Sequence, residues 1–283
     1  MKRVLSSLAS IGSLLLATQA FADTTQCINI QSVPITITVQ GIYCLKQNLS
    51  LSATQAVAIT IAAHNVTIDF NGFKLGGLAA GPSSNSVGVR ATDRRNVTLR
   101  NGNIRGFSWG IILNQTTEGA SSGHLVEDNF LDGNLIVGME VGGSDVLVRR
   151  NRIVRTGGNT NAFAIRATDL SNSEISDNFI STTHSPGATS EGISLSNSSR
   201  VLVARNTIID TKGALSVRGI RSQSTAGAII IDDNTIVTGV SEIGTATGIS
   251  VSGPVLCRNN TVADFAFSQT SGCQAQEGTF PAP

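Results

Sequence analysis

The chain has 283 residues, with 20 basic and 19 acidic side chains and a net charge of +1. So even a balance gives no electrostatic case for a nucleic-acid partner or an anionic membrane surface. Short Val/Ile runs punctuated by Gly, Asn, Ser and Thr make an all-β composition, and the lack of any sustained 3.6-residue apolar period argues against long helices.

In chain order, residues 1–22 read as a signal peptide. Lys2 and Arg3 give a basic start, Val4 to Ala17 a mostly apolar run, and Ala20-Phe21-Ala22 a small-residue cleavage site. The run is shorter than the roughly 20 residues a membrane span requires, so export is expected, with no membrane span left after removal. The expected location is secreted, periplasmic or cell-surface. Residues 23–57 read as an N-terminal cap, 58–262 as a repeat array, and 263–283 as a C-terminal cap or tail.

Four cysteines in an exported chain suggest two disulfides. Three connectivities are open, and free buried thiols are the alternative. Sequence proximity favours Cys27 with Cys44 and Cys257 with Cys273, one pair at each end of the array.

Within the array an apolar strand runs eight times into a turn at the same slot: Asn71, Gly102, Asn129, Asn151, Asn178, Asn206, Asn234 and Asn260. An apolar residue lies three before the slot and another two after it, as in Ile68 and Phe73 or Val203 and Ile208. Asn tolerates left-handed backbone angles and offers both donors and acceptors, so stacked amides can form a ladder, which Gly102 would break. Half a period away runs a second register: Gly88-Val89, Gly110-Ile111, Gly138-Met139, Ala164-Ile165, Gly192-Ile193, Gly219-Ile220 and Gly248-Ile249. Two strands per coil leave room for a third. Coils repeated in one direction make parallel sheets, so the expected fold is a single-stranded parallel β-helix of about eight coils spaced about 4.8 Å apart.

The run Gly41-Ile42-Tyr43-Cys44-Leu45, Ile59-Thr60-Ile61 and Asn65-Val66-Thr67-Ile68-Asp69-Phe70-Asn71-Gly72 resembles the start of right-handed parallel β-helix proteins of the pectin-lyase-like superfamily. Asn96-Val97-Thr98-Leu99-Arg100-Asn101-Gly102 and Ile104-Arg105-Gly106-Phe107 continue the likeness, which covers roughly residues 40 to 262. The superfamily holds polysaccharide lyases, glycoside hydrolases, uronan epimerases, phage tailspikes and non-catalytic proteins, so the resemblance implies a fold and not an activity.

Indexed against the slot, two outward stacks alternate in sign. Two before it stand Asp69, Arg100, Glu127, Arg149, Ser176, Ala204, Asp232 and Arg258. One before it stand Phe70, Asn101, Asp128, Arg150, Asp177, Arg205, Asp233 and Asn259. Alternating charges attract across coils and fix register, so these acids are expected to pair structurally rather than to bind Ca²⁺. Four before the slot runs a mostly apolar stripe of Thr67, Thr98, Leu125, Leu147, Glu174, Leu202, Ile230 and Leu256. Loop cover is the first expectation for it, and lateral self-association the second.

The Gly-Ile strands present Arg90, Ile112, Glu140, Arg166, Ser194, Arg221 and Ser250. In many superfamily enzymes a groove along one sheet holds the sugar chain, an Arg or Lys removes a proton beside a carboxylate, and acids hold Ca²⁺. The resemblance therefore assigns Arg166 as base, Glu140 as its partner or a cation ligand, and Arg90 and Arg221 as uronate binders. A plain Glu140–Arg166 bridge between coils is the structural alternative. Trp109, the one Trp of the chain, is placed to stack on a sugar. No protein metal site is expected from His64, His124 and His184, which fall in different coils, and His124 falls in a usually apolar inward slot. Two longer excursions, 114–123 and 182–189, read as connectors flanking any groove.

No phosphate loop, zinc spacing, nucleophile elbow or dinucleotide fingerprint is present, nor is the Asp-Pro-His-Asp run of the alginate epimerases. The reading is an exported β-helix that binds a polysaccharide or surface polymer along one sheet without a resident cofactor. A uronate lyase using Ca²⁺ and a structural or adhesive module are the alternatives.

Overall fold

A computed structural model describes residues 26–158, 160–224, 227–237, 244–266, 268–274 and 280–281. The signal peptide expected at 1–22 and parts of the expected C-terminal cap or tail lie outside the described residues. The chain winds as a right-handed parallel β-helix of about 8 turns. One coil illustrates the rest: Trp109–Asn114 lies on a first sheet, Leu125–Glu127 on a second, the two joined through the long strand Ala162–Ser176, and Phe130–Asp132 on a third. The next coil, Val137–Ser144, Leu147–Arg149 and Arg152–Val154, pairs with it in parallel, with Ile111 beside Met139, Val126 beside Val148 and Leu131 beside Ile153. The third sheet runs through ten described strands, from Leu49–Ser50 to Phe280–Pro281.

The core is a set of apolar columns along the axis. Leu99, Val126, Val148, Ile175, Val203 and Ile231 stack in one, and Ile104, Leu131, Ile153, Ile180, Ile208 and Ile236 in another, all fully buried. The glycine register has a steric cause. A Cβ on Gly110, Gly138 or Gly192 would come within 2.4, 2.5 or 2.6 Å of a carbonyl oxygen of the next coil. It would also strike a side chain: Asn134, just after the third-sheet strand, or Ile153 or Ile208 on that sheet, respectively.

The asparagine ladder forms, and it is polar. Asn129 donates both its backbone N–H and its Nδ2 to Oδ1 of Asn151, at 3.1 Å each. The same pair of bonds runs from Asn151 to Asn178, from Asn178 to Asn206, from Asn206 to Asn234 and from Asn234 to Asn260. The left-handed backbone angle belongs not to the slot but to the residue before it: Asp128, Arg150, Asp177, Arg205, Asp233 and Asn259 all have φ between 53° and 56° or, for Arg150, 52°. In most coils the slot is therefore selected for its amide, not for its backbone freedom.

The first coil departs from the repeat. Asn71 is itself left-handed (φ 50°) and Gly72 follows it (φ 75°), so Leu75 rather than Phe73 takes the core position beside Ile104. Phe70, expected outward, is fully buried. Its ring occupies the ladder space: a Cβ on Gly102 would lie 2.8 Å from it, which is why glycine stands there. The Gly102 N–H still donates to Asn129 Oδ1, so the ladder starts from a bare backbone.

The outward charge stacks pair as their alternation requires. Arg100 meets Asp69 at 2.9 Å, Arg149 meets Glu127 at 2.9 Å, Arg150 meets Asp128 at 2.8 Å, Arg205 meets Asp177 at 2.9 Å and Arg258 meets Asp232 at 2.9 Å. Asp69, Ser176 and Ala204, expected outward, are buried, the last two where the charge pattern lapses. Disulfides join Cys27 to Cys44 and Cys257 to Cys273. Neither excursion is a loose connector. Asp93 accepts hydrogen bonds from the Thr116 N–H and hydroxyl, and His184–Ser185 pairs with Lys212–Gly213 of the next coil.

Candidate functional site

The first sheet gathers most of the expected site residues. Across it, Arg90, Ile112, Glu140, Arg166, Ser194 and Arg221 stand side by side in successive coils. A second row lies beside them: Trp109, Val137, Phe163, Glu191, Arg218 and Thr247. Each member immediately precedes the Gly-Ile pair, which is Gly-Met in one coil and Ala-Ile in another. In a regular strand, residues three apart face opposite ways. The ladder breaks at the glycine of each pair, since Gly192 and Gly219 have no partner in register, and both rows come to the same face.

Arg166 is the centre of the cluster. Its guanidinium carbon lies 5.8 Å from the Trp109 ring and 5.6 Å from the Phe163 ring, within cation–π range of both. Its Nη1 is 3.7 Å from Glu140 Oε2. Glu140 also accepts from Asn114 Nδ2 at 3.3 Å, and Asn114 in turn accepts from the Thr92 hydroxyl. The Arg166 side chain keeps 42% of its surface exposed. The structure thus unites Trp109, Glu140 and Arg166, adds Phe163, and leaves Arg90 three coils away beside Ile112.

Arg221 belongs to a different group. It donates to Glu191 Oε1 at 3.0 Å, and Arg218 donates to the same oxygen at 2.9 Å. Glu191 is fully buried. Glu191, Arg218 and Phe163 escaped sequence reasoning because the outward row was taken only from the second residue after each glycine. The signal was present one residue before it.

The implied Ca²⁺ does not fit here. Glu140 is engaged by Arg166 and Asn114, Glu191 by two arginines, and among the described residues no three of His, Cys, Asp and Glu gather into an ion site. His124 is inward, as its slot predicts. Its Nδ1 accepts the Val97 N–H at 3.2 Å and its Nε2 faces the Ser121 hydroxyl at 2.7 Å. Burial pushes its pKa down to about 4.

The apolar stripe is not sealed by a loop. Leu147, Leu202 and Ile230 stay half-buried and floor an open groove of about 620 Å³ on the second sheet, with Asp145, Asn172 and Arg200 along one side.

A family model described as "Right handed beta helix region" matches residues 120–277. Among solved structures, the Dettilon tailspike protein (gp208) is 16% identical with a TM-score of 0.60, over 89% of this chain and 51% of that one. The periplasmic alginate epimerase AlgG is 11% identical with a TM-score of 0.44, over 82% of this chain and 51% of that one. DFA-IIIase from Arthrobacter chlorophenolicus A6 is 12% identical with a TM-score of 0.45, over 80% and 63%. The chain thus spans about half the length of the first two. No curated protein matches the chain. At these identities the likeness to solved structures is one of fold. Through the family model, which covers more than half of its length, the chain belongs to the right-handed β-helix family.

Proposed function

We propose that the protein is exported and binds a polysaccharide or other surface polymer along the outer face of its first sheet. The observation that carries this reading is the exposed Arg166 guanidinium between the rings of Trp109 and Phe163. Two aromatic faces two coils apart, about 9.6 Å, offer stacking surfaces along a chain that follows the axis. An arginine pinned between them donates hydrogen bonds from a fixed place, so little ordering is left to pay on binding.

Because Trp109 is the one Trp of the sequence, its fluorescence reports on this site alone. Titration with a panel of bacterial and plant polysaccharides is expected to shift Trp109 emission with at least one of them. Trp109→Ala should weaken binding about tenfold, roughly 1.4 kcal/mol. An emission spectrum that no polymer moves would sink the reading.

A uronate lyase is the second reading, favoured by Arg166 and Glu140 standing together on a sheet face. The surroundings of Arg166, a carboxylate and two π faces, attract a positive charge and suit a binding cation better than a proton acceptor. Rising absorbance near 235 nm with a uronate polymer, abolished by Arg166→Ala, would reverse that preference.

A further inference from the structure

We infer that Arg218 and Arg221, held by the buried Glu191, form a clamp for the carboxylate of an acidic glycan. The inference deepens the polymer-binding reading, on which it rests for the direction of the ligand.

Three observations carry it. Both guanidiniums converge with Nη1 on one oxygen, Oε1 of Glu191, at 2.9 and 3.0 Å, while their side chains keep 23% and 25% exposure. Each guanidinium has five N–H donors, so both retain outward donors once Nη1 is engaged. The trio carries a net charge of +1 on an outward face.

Glu191 itself is fully buried, and its Oε2 has no hydrogen-bond partner among the described residues. A buried carboxylate with an orphaned oxygen is a poor route to stability, because apolar residues of similar volume commonly do as well or better. What the carboxylate does supply is position: it ties two long, flexible side chains to one point. The planar, forked donors of arginine match a carboxylate in a way that a lysine ammonium does not.

The placement agrees with a ligand along the axis. In the outer row Arg221 follows Arg166 by two coils, with Ser194 between them, about 9.6 Å. Phe163 lies against Arg166 on one side and neighbours Glu191 on the other, so clamp and aromatic platform form one continuous surface.

The test uses the full chain and digalacturonate, a small acidic sugar, followed by NMR of the arginine Nε–H signals. The signals of Arg218 and Arg221 are expected to move on titration. Arg221→Lys, which keeps the charge but loses the fork, should weaken binding about tenfold. Glu191→Gln is the sharper variant because it raises the local charge by one. A merely electrostatic surface would then bind more tightly, whereas a clamp that has lost its anchor binds more weakly. If Glu191→Gln does not fold, Arg221→Lys decides.

Silent arginine signals, or binding unchanged or tightened in the folded variants, would overturn the clamp. The two proposals fail separately. Trp109 responding to a neutral polymer while both arginines ignore digalacturonate removes the clamp and leaves polymer binding. Digalacturonate moving the arginines while no polymer moves Trp109 does the reverse.

Discussion

Gly102 and His124 show how single positions depend on neighbours a whole coil away. A methyl group at Gly102 would press on the Phe70 ring at 2.8 Å and on Asn129 Oδ1 at 3.0 Å. Gly102→Ala should therefore cost about 1–3 kcal/mol in urea denaturation, and Phe70→Leu should recover part of the loss. His124 accepts the Val97 N–H through Nδ1, so its proton sits on Nε2 and points to the Ser121 hydroxyl. Its pKa falls from 6.5 unfolded to about 4 folded. Between those values the unfolded chain binds a proton that the folded chain refuses, so stability drops as pH falls from about 6.5 to about 4. The full effect is about 3 kcal/mol. Thermal melts at pH 7.5 and 4.5 should show it, and His124→Gln should flatten it. Asp93, held low by the Thr116 hydroxyl, and Asp177, held low by the Arg205 hydrogen bond, act in another window. Their contributions are present above the ordinary carboxylate value and vanish only below it. The inward place of His124 was legible in the sequence because it occupies a column of the repeat. The burial of Phe70 was not, because strand alternation says nothing of a turn that has gained residues.

Among the elements, the two kinds of ladder differ in strength for a physical reason. Each ladder asparagine is buried and fills one acceptor with two donors, so removing it orphans groups that water cannot reach. Asn178→Ala would leave the N–H of Asn151 without an acceptor, although the Asn151 Nδ2 keeps the Val126 and Arg149 carbonyls, and should cost about 1–3 kcal/mol in urea denaturation. The charge ladder is solvent-facing through most of its arginines, although Asp69 is buried. Arg150→Ala, although Arg150 is held firmly protonated by its hydrogen bonds to Asp128, should cost at most about 1 kcal/mol, a loss that shrinks in high salt. Both ladders could be written from the sequence by counting coils. The second row, with Trp109, Phe163, Glu191 and Arg218, could not be placed by alternation alone, because the break at each glycine resets which way a side chain faces. Period finds the coil, while facing depends on local backbone geometry.

As a whole, the molecule is quasi-one-dimensional: each coil touches chiefly its two neighbours, and the ends are the weak points. The second disulfide spans 16 residues at one end. Cys257→Ala with Cys273→Ala should lower stability by about 3 kcal/mol, and amide exchange should rise first in the last coils while Ile111 and Met139 stay protected. Fold and coil count were legible because they follow from spacing, whereas the disulfide pairing was only favoured by sequence proximity. The ligand surface was legible only in part, since it depends on side chains brought together from coils that are remote in sequence. The polarity of the asparagine ladder bears on how the molecule is made. Every backbone N–H of the ladder from Asn129 to Asn234 points toward the coil that follows it in the chain, while each Nδ2 also reaches back to a carbonyl of the coil before, so the forward bonds of each coil wait for its successor. A ribosome delivers coils in that same order. Each arrival closes the forward bonds of the one before and brings a backbone N–H of its own that waits for the next amide oxygen. Growth and synthesis therefore share a direction.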